Sequence, residues 1–411
     1  MRNLKSVHRA LLKNSEGLRL TASAWDVALD SIICTFGPNK DNFLLQLKRW
    51  NESSGLENIA SWDAPCPLPE FECDQILDLY YFSDTLTTCV ILAGGDLVVV
   101  REEPQLGEEK IEIVGSVDAG ISAAAWSPDG ELLAITTRAG TLLYMTRDFE
   151  NAIDVTFVSE DLKASNHVSV GWGKSETQFK GRGAKALQDP TMPERVDEGV
   201  LSKHDGKTTT ISWRGDGSYV AINSVEPGSR RVIRVYSREG SLDSVSEPVD
   251  GLEGALSWRP AGNLMAGIQR LQDRIDVVFF ERNGLRHGKF PLRLTQDEME
   301  TWATEPFLKW NTDSSVLAVC FKDRVQLWTM GNYHYYLKQE IFSRSRASTK
   351  LCWHPEKALR FAVSSDGKCI LGSVLAQASI LKRNAQRGLK NLNTILALPL
   401  DLPAPRTTMA S

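Results

Sequence analysis

No run of about 18 apolar residues occurs anywhere in this chain, so no segment has the length and apolarity of a membrane-spanning helix. Cysteine is sparse. Seven in 411 residues, an odd number with no CxxC pair, fit a reducing compartment better than a disulfide framework. An excess of positive charge is missing as well: 47 Lys and Arg against 52 Asp and Glu leave a formal charge of −5. A dedicated nucleic-acid coat needs the opposite field. The opening Met1-Arg2-Asn3-Leu4-Lys5 leads into no apolar stretch long enough for a secretory signal. These absences set the expectation of a cytoplasmic protein, with a nuclear location in addition.

Catalytic signatures are missing too. No serine sits in a G-x-S-x-G elbow. Gly206-Lys207-Thr208 resembles the end of a phosphate loop, but position 201, where the first glycine belongs, is leucine. Gly181-Arg-Gly183 lacks the third glycine of a dinucleotide fingerprint. The six histidines include no H-E-x-x-H, and the close pair Cys352 and His354 falls short of the three or four ligands that zinc requires. The reading is a non-enzyme with no cofactor, no metal and no small-molecule substrate.

What the chain has is repetition. Tryptophan, 11 residues in all, recurs in one context: Ile121-Ser-Ala-Ala-Ala-Trp126-Ser-Pro-Asp-Gly, Thr210-Ile-Ser-Trp213-Arg-Gly-Asp-Gly, Ala255-Leu-Ser-Trp258-Arg-Pro, Phe307-Leu-Lys-Trp310-Asn-Thr-Asp and Lys350-Leu-Cys-Trp353-His-Pro. With Trp172, which fits more loosely, the spacings are 46, 41, 45, 52 and 43 residues. A four-stranded propeller blade takes about 40–45. Each unit reads as an apolar strand ending at Trp, a polar turn, a returning apolar strand and a third such as Val232-Ile-Arg-Val-Tyr236 or Val325-Gln-Leu-Trp328. Weaker units surround Trp25 and Tyr80-Tyr-Phe82.

The expectation is an all-β, WD-repeat-like β-propeller of about seven four-stranded blades over residues 1–370. Its outermost strands are expected from both chain ends, and its tryptophans between blades. After Lys368 no third strand is evident, so residues 371–411 read as a short irregular tail. That tail is basic at Lys382, Arg383, Arg387 and Lys390 and is broken by Pro399, Pro403 and Pro405.

Several long strings resemble the largest-subunit family of the Elongator complex, the IKAP-type scaffolds. They are Ser246-Glu-Pro-Val-Asp-Gly-Leu-Glu-Gly-Ala-Leu-Ser-Trp258, Phe279-Phe-Glu-Arg-Asn-Gly-Leu-Arg-His-Gly-Lys-Phe290, Leu327-Trp-Thr-Met-Gly-Asn-Tyr333-His-Tyr-Tyr-Leu-Lys-Gln-Glu-Ile341 and Gly171-Trp-Gly-Lys-Ser-Glu-Thr-Gln-Phe179. The resemblance covers roughly residues 1–370 and only the first of that family's two propellers. The end of the chain departs from the family pattern, so a fragment, a truncated gene product or a misassigned reading frame is expected.

The resemblance implies a non-catalytic scaffold supporting modification of the tRNA wobble uridine with 5-carbonylmethyl-type side chains. The implied partners are the catalytic subunit and the second WD-repeat subunit, with tRNA reached indirectly or weakly. The alternative is a generic WD-repeat adaptor of a coat or trafficking complex. Loops on rigid scaffolds carry function disproportionately, and one loop concentrates positive charge beside aromatic residues: Trp172, Lys174, Phe179, Lys180, Arg182 and Lys185. It is the candidate interaction loop. A second basic group, Arg230, Arg231, Arg234 and Arg238, reads as a solvated blade face.

Overall fold

The computed structural model describes residues 2–13, 18–51, 54–158, 197–226, 230–301, 306–321, 324–342, 350–365 and 368–378. Seven antiparallel four-stranded sheets account for nearly all of them. Strand β1 (Arg2–Lys13) opens the chain and belongs to the last sheet. Blade 1 is β2 (Leu20–Asp26), β3 (Ser31–Phe36), β4 (Leu44–Asn51) and β5 (Gly55–Asp63). Blade 2 is β6 (Ile76–Phe82), β7 (Thr87–Leu92), β8 (Asp96–Arg101) and β9 (Ile111–Ser116). Blade 3 is β10 (Ile121–Trp126), β11 (Leu132–Thr137), β12 (Thr141–Thr146) and β13 (Asn151–Thr156). Blade 4 is β14 (Thr210–Trp213), β15 (Tyr219–Val225), β16 (Arg231–Ser237) and β17 (Leu242–Val245).

Blade 5 is β18 (Leu252–Trp258), β19 (Leu264–Arg270), β20 (Ile275–Glu281) and β21 (Arg286–Pro291). A single helical turn and a half, α1 (Gln296–Thr301), leads into blade 6: β22 (Phe307–Trp310), β23 (Leu317–Cys320), β24 (Arg324–Gly331) and β25 (His334–Phe342). Blade 7 is β26 (Lys350–Trp353), β27 (Arg360–Ser365) and β28 (Lys368–Ala378), with β1 as its fourth strand.

The apolar residues sort into seven clusters, and each lies between two consecutive blades. The cluster joining Trp25, Ile32 and Phe36 of blade 1 to Ala362 of blade 7 closes the ring. Sheets stacked on both faces explain why β3, β11 and β19 read as nearly continuous apolar runs rather than alternating ones. In every blade the pairing of the third with the fourth strand shifts register once. Such a bulge increases local twist, which a blade needs between a crowded centre and a splayed rim.

The tryptophans sit where the repeat placed them, buried against the preceding blade. Trp213 Nε1 donates to Ala125 O at 2.9 Å, Trp353 Nε1 to Lys309 O at 3.1 Å and Trp25 Nε1 to Cys352 O at 3.3 Å. Each bond ties a first strand to the first strand of the blade before it. Blade 2 has Tyr81 in that position, buried against blade 1, which is why its signal was weak.

Two expectations change. Trp172 lies outside the described residues, and no blade stands between blades 3 and 4, which are direct neighbours: besides the Trp213 bond, Tyr144 Oη donates to Ser237 O at 3.1 Å. The interval from Trp126 to Trp213 is one blade step with a long connection. The third strand thought missing after Lys368 is present as β28, paired with β27 on one side and β1 on the other. Its Lys-Cys-Ile-Leu-Gly-Ser-Val-Leu sequence has the apolarity of a sandwiched strand. Its lack of acidic residues makes it resemble the basic tail that follows. Among the described residues the N-terminal end supplies the outermost strand of this blade, and the C-terminal side supplies its third. Residues 379–411 lie outside the described residues.

Candidate functional site

Antiparallel strands send the connections between successive blades, and those between second and third strands, to one face of the ring. The longest interblade connection on that face joins β13 to β14, residues 157–209. It contains the candidate interaction loop. Trp172, Lys174, Phe179, Lys180, Arg182 and Lys185 all lie outside the described residues. Both flanks are described: the upstream one docks on blade 4 and the downstream one on blades 4 and 5.

The downstream flank is held by carboxylates and arginines, some buried and some half-exposed. Asp250 Oδ1 accepts the backbone N–H groups of Glu198, Gly199 and Val200 at 3.0, 2.8 and 3.0 Å. The clasp needs Gly199, which has φ +84° and no room for a Cβ beside the Arg230 side chain, 2.8 Å away. Arg286 Nη1 reaches Asp197 Oδ2 at 2.7 Å, and Ser202 Oγ donates to Glu253 Oε1 at 3.0 Å. Glu253 is in turn paired with Arg270. Arg231 grips Asp205 through both Nε, at 2.8 Å, and Nη2, while its Nη1 donates to Thr208 O at 2.7 Å.

The upstream flank meets the same strand. Phe157 stacks on Tyr236 at 6.2 Å between centroids, and the Arg234 guanidinium lies 5.0 Å from the Phe157 ring centre. Arg234 is itself paired with Glu226. Strand β16 thus holds the incoming chain with one arginine and the outgoing chain with another, three residues apart.

This corrects the reading of the second basic group as a solvated face. Arg231 is 2% exposed and Arg234 0%. Alternation along the strand was right about faces, but both faces of a middle blade strand are covered. Arg238 crosses to Asp129 Oδ2 of blade 3 at 2.8 Å. Arg230, whose guanidinium pKa is lowered by burial and by neighbouring Arg234, donates to Ser246 O at 3.2 Å. Three of the four arginines are committed to carboxylates, so this group presents no phosphate-binding row. Sequence inspection missed the clamp because the partners of Arg231 and Asp250 lie 26 and 50–52 residues away.

Reactive side chains are few. Among the described residues no three His, Cys, Asp or Glu groups converge as metal ligands. Burial pushes the Cys352 thiol up to about 11, and pushes Cys89 and Cys320 up as well. Nδ1 of His354 accepts the N–H groups of Glu356 and Lys357 at 3.1 and 3.0 Å, so it is not turned toward Cys352 as a ligand would be. No helix among the described residues is long and apolar enough to cross a membrane.

A closed ring of seven four-stranded blades, tied by tryptophans between neighbouring first strands, defines the molecule as a β-propeller of the WD-repeat type. Residues 1–356 match the family described as the ELP1 first N-terminal beta-propeller, and the chain belongs to that family. It is similar to Elongator complex protein 1 of Schizosaccharomyces pombe, 42% identical over 365 residues, covering 87% of this chain and 28% of the relative. The Saccharomyces cerevisiae protein of the same name is 38% identical over 413 residues, covering 89% and 30%. That of Mus musculus is 40% identical over 316 residues, covering 73% and 23%. The chain spans less than a third of the length of these relatives.

Proposed function

We propose that this propeller is a non-catalytic docking module of an Elongator-type assembly, supporting modification of the tRNA wobble uridine carried out by another subunit. The family match over residues 1–356 carries this reading. The geometry supports it: the described thiols are buried or shifted up, and the ion pairs of blades 4 and 5 are spent on holding the chain. A rigid ring of this kind acts through its loops. Its partners are then other Elongator subunits, the catalytic one and the second WD-repeat one. Contact with tRNA is weak and salt-sensitive, because a net charge of −5 leaves few sites to replace counterions. The working location is the cytoplasm, with the nucleus in addition. Nothing in the fold or the relatives favours the coat-adaptor alternative.

The test is co-purification of the tagged chain with the other Elongator subunits at physiological salt, alongside tRNA titration at low and physiological salt. Retention of a subunit with loss of tRNA binding as salt rises is expected. Tight tRNA binding at physiological salt with no subunit retained would overturn the reading.

A further inference from the structure

The seam between blades 7 and 1 holds a buried histidine. Two first-to-second strand turns meet across it, residues 27–30 of blade 1 and residues 354–359 of blade 7. His354 lies between them, 1% exposed, its ring centroid 4.7 Å from that of Trp25. Its Nδ1 accepts two backbone N–H groups, from Glu356 and Lys357. A nitrogen with that role carries no proton, so the neutral ring holds its hydrogen on Nε2. Nε2 is 3.3 Å from Asp30 Oδ1 but makes no aligned hydrogen bond.

The other charges around the ring come from both blades. Lys357 Nζ reaches Asp30 Oδ2 at 2.7 Å, and Arg360 pairs with the same carboxylate while lying over Trp25. Glu356 is exposed at the turn. Asp26, nearby in sequence, is turned away to Arg49 and the Leu29 N–H. Imidazolium at position 354 would therefore stand beside two cations and one carboxylate. A proton on Nδ1 would also point at two N–H donors.

We propose that this seam is an acid-released latch. Protonation of His354 expels the Glu356 and Lys357 amides, opens the turn that carries Lys357 to Asp30, and loosens blade 7 from blade 1 before any other junction. Burial first, then Lys357, hold the imidazole below its ordinary 6.5, against the pull of Asp30. A group depressed in the folded state binds its proton more readily when the seam is open. The contribution is complete above pH 6.5 and is lost as pH falls from there toward the folded-state value.

Hydrogen exchange of the whole chain, compared at pH 7.5 and 5.5 after correction for intrinsic rates, tests this. Peptides from residues 20–36 and 350–365 should exchange up to about tenfold faster at the lower pH, the ceiling set one unit below an open-state value of 6.5. Peptides from blade 3 should not change. In His354→Gln, whose amide oxygen can still accept but does not titrate, the seam-specific acceleration should vanish. Uniform acceleration across blades, or an unchanged acceleration in His354→Gln, would overturn the latch. Should that variant not fold, histidine NMR of the unmodified chain decides the point. A buried imidazole with a midpoint under 6.5, titrating together with seam exchange, supports the latch; histidines all titrating at or above 6.5 refute it.

Discussion

Two of the ring's ion pairs sit in opposite surroundings, and they behave in opposite ways. At blade 4, Arg231 and Asp205 have side chains 1% and 2% exposed. At the blade 7 to blade 1 seam, Asp30 is 41% exposed and Lys357 52%. The buried pair excludes alternatives, because either partner alone would be an uncompensated charge in low dielectric. The exposed pair contributes little in water and is screened by salt. Blade 4 is therefore where chain path is specified, and the seam is where conditions can act on the ring.

The comparison can be broken by substitution. The largest effect is expected at Trp213, which fills the junction of blades 3 and 4 and hydrogen-bonds to Ala125. Trp213→Ala should cost about 3–5 kcal/mol in denaturant unfolding, because stacked sheets cannot close on the cavity. Melting within a degree of the parent would contradict the proposed packing. Asp205→Ala should follow at about 3 kcal/mol, leaving Arg231 buried without its carboxylate. Combining it with Arg231→Met should recover part of that loss. A double variant as unstable as the sum of two singles would show the pair to be uncoupled.

The seam gives smaller numbers. Burial raises the Asp30 carboxyl, but hydrogen bonds from Arg360 and Lys357 outweigh it and hold the pKa at about 2. Its contribution is present above the unfolded value of 3.8 and is lost as pH falls toward about 2. Asp30→Asn should cost no more than about 1 kcal/mol at pH 7, given the exposure of the pair, and should lose its effect in 1 M salt. A loss above about 3 kcal/mol at high salt would place this pair in the same class as Arg231 with Asp205.

The smallest effect concerns neither pair. Asn332 and Tyr333 form a two-residue hairpin turn between the paired Gly331 and His334, with φ of 49° and 62°. Glycine is the favoured residue at the second position of such a turn. Tyr333→Gly should be stabilising by up to about 1 kcal/mol. Thermal unfolding that instead falls by several degrees would show that the tyrosine ring contributes packing of its own.

Much of the ring could be read in the chain. The polar turn after Trp126 and its counterparts repeat at blade spacing, because each blade must end its first strand against its neighbour with one large, flat side chain. Blade 2 was faint, since Tyr81 replaces that side chain and one ring differs from another only by what it must touch. The interval between Trp126 and Trp213 misled for the reverse reason: a tryptophan at the right spacing need not mark a further blade. The second basic group misled because alternation says which residues share a face and nothing about what covers that face.

Periodicity by itself determined that there are about seven blades, the antiparallel strand order within a blade and the apolar character of the middle strands, because all three follow from local pattern and short turns. Only tertiary structure decided that β1 completes blade 7, that Asp250 and Glu253 meet residues 197–202, and that Arg231 and Arg234 are buried. Those outcomes depend on groups brought together by ring closure, over separations at which no local spacing constrains the partner.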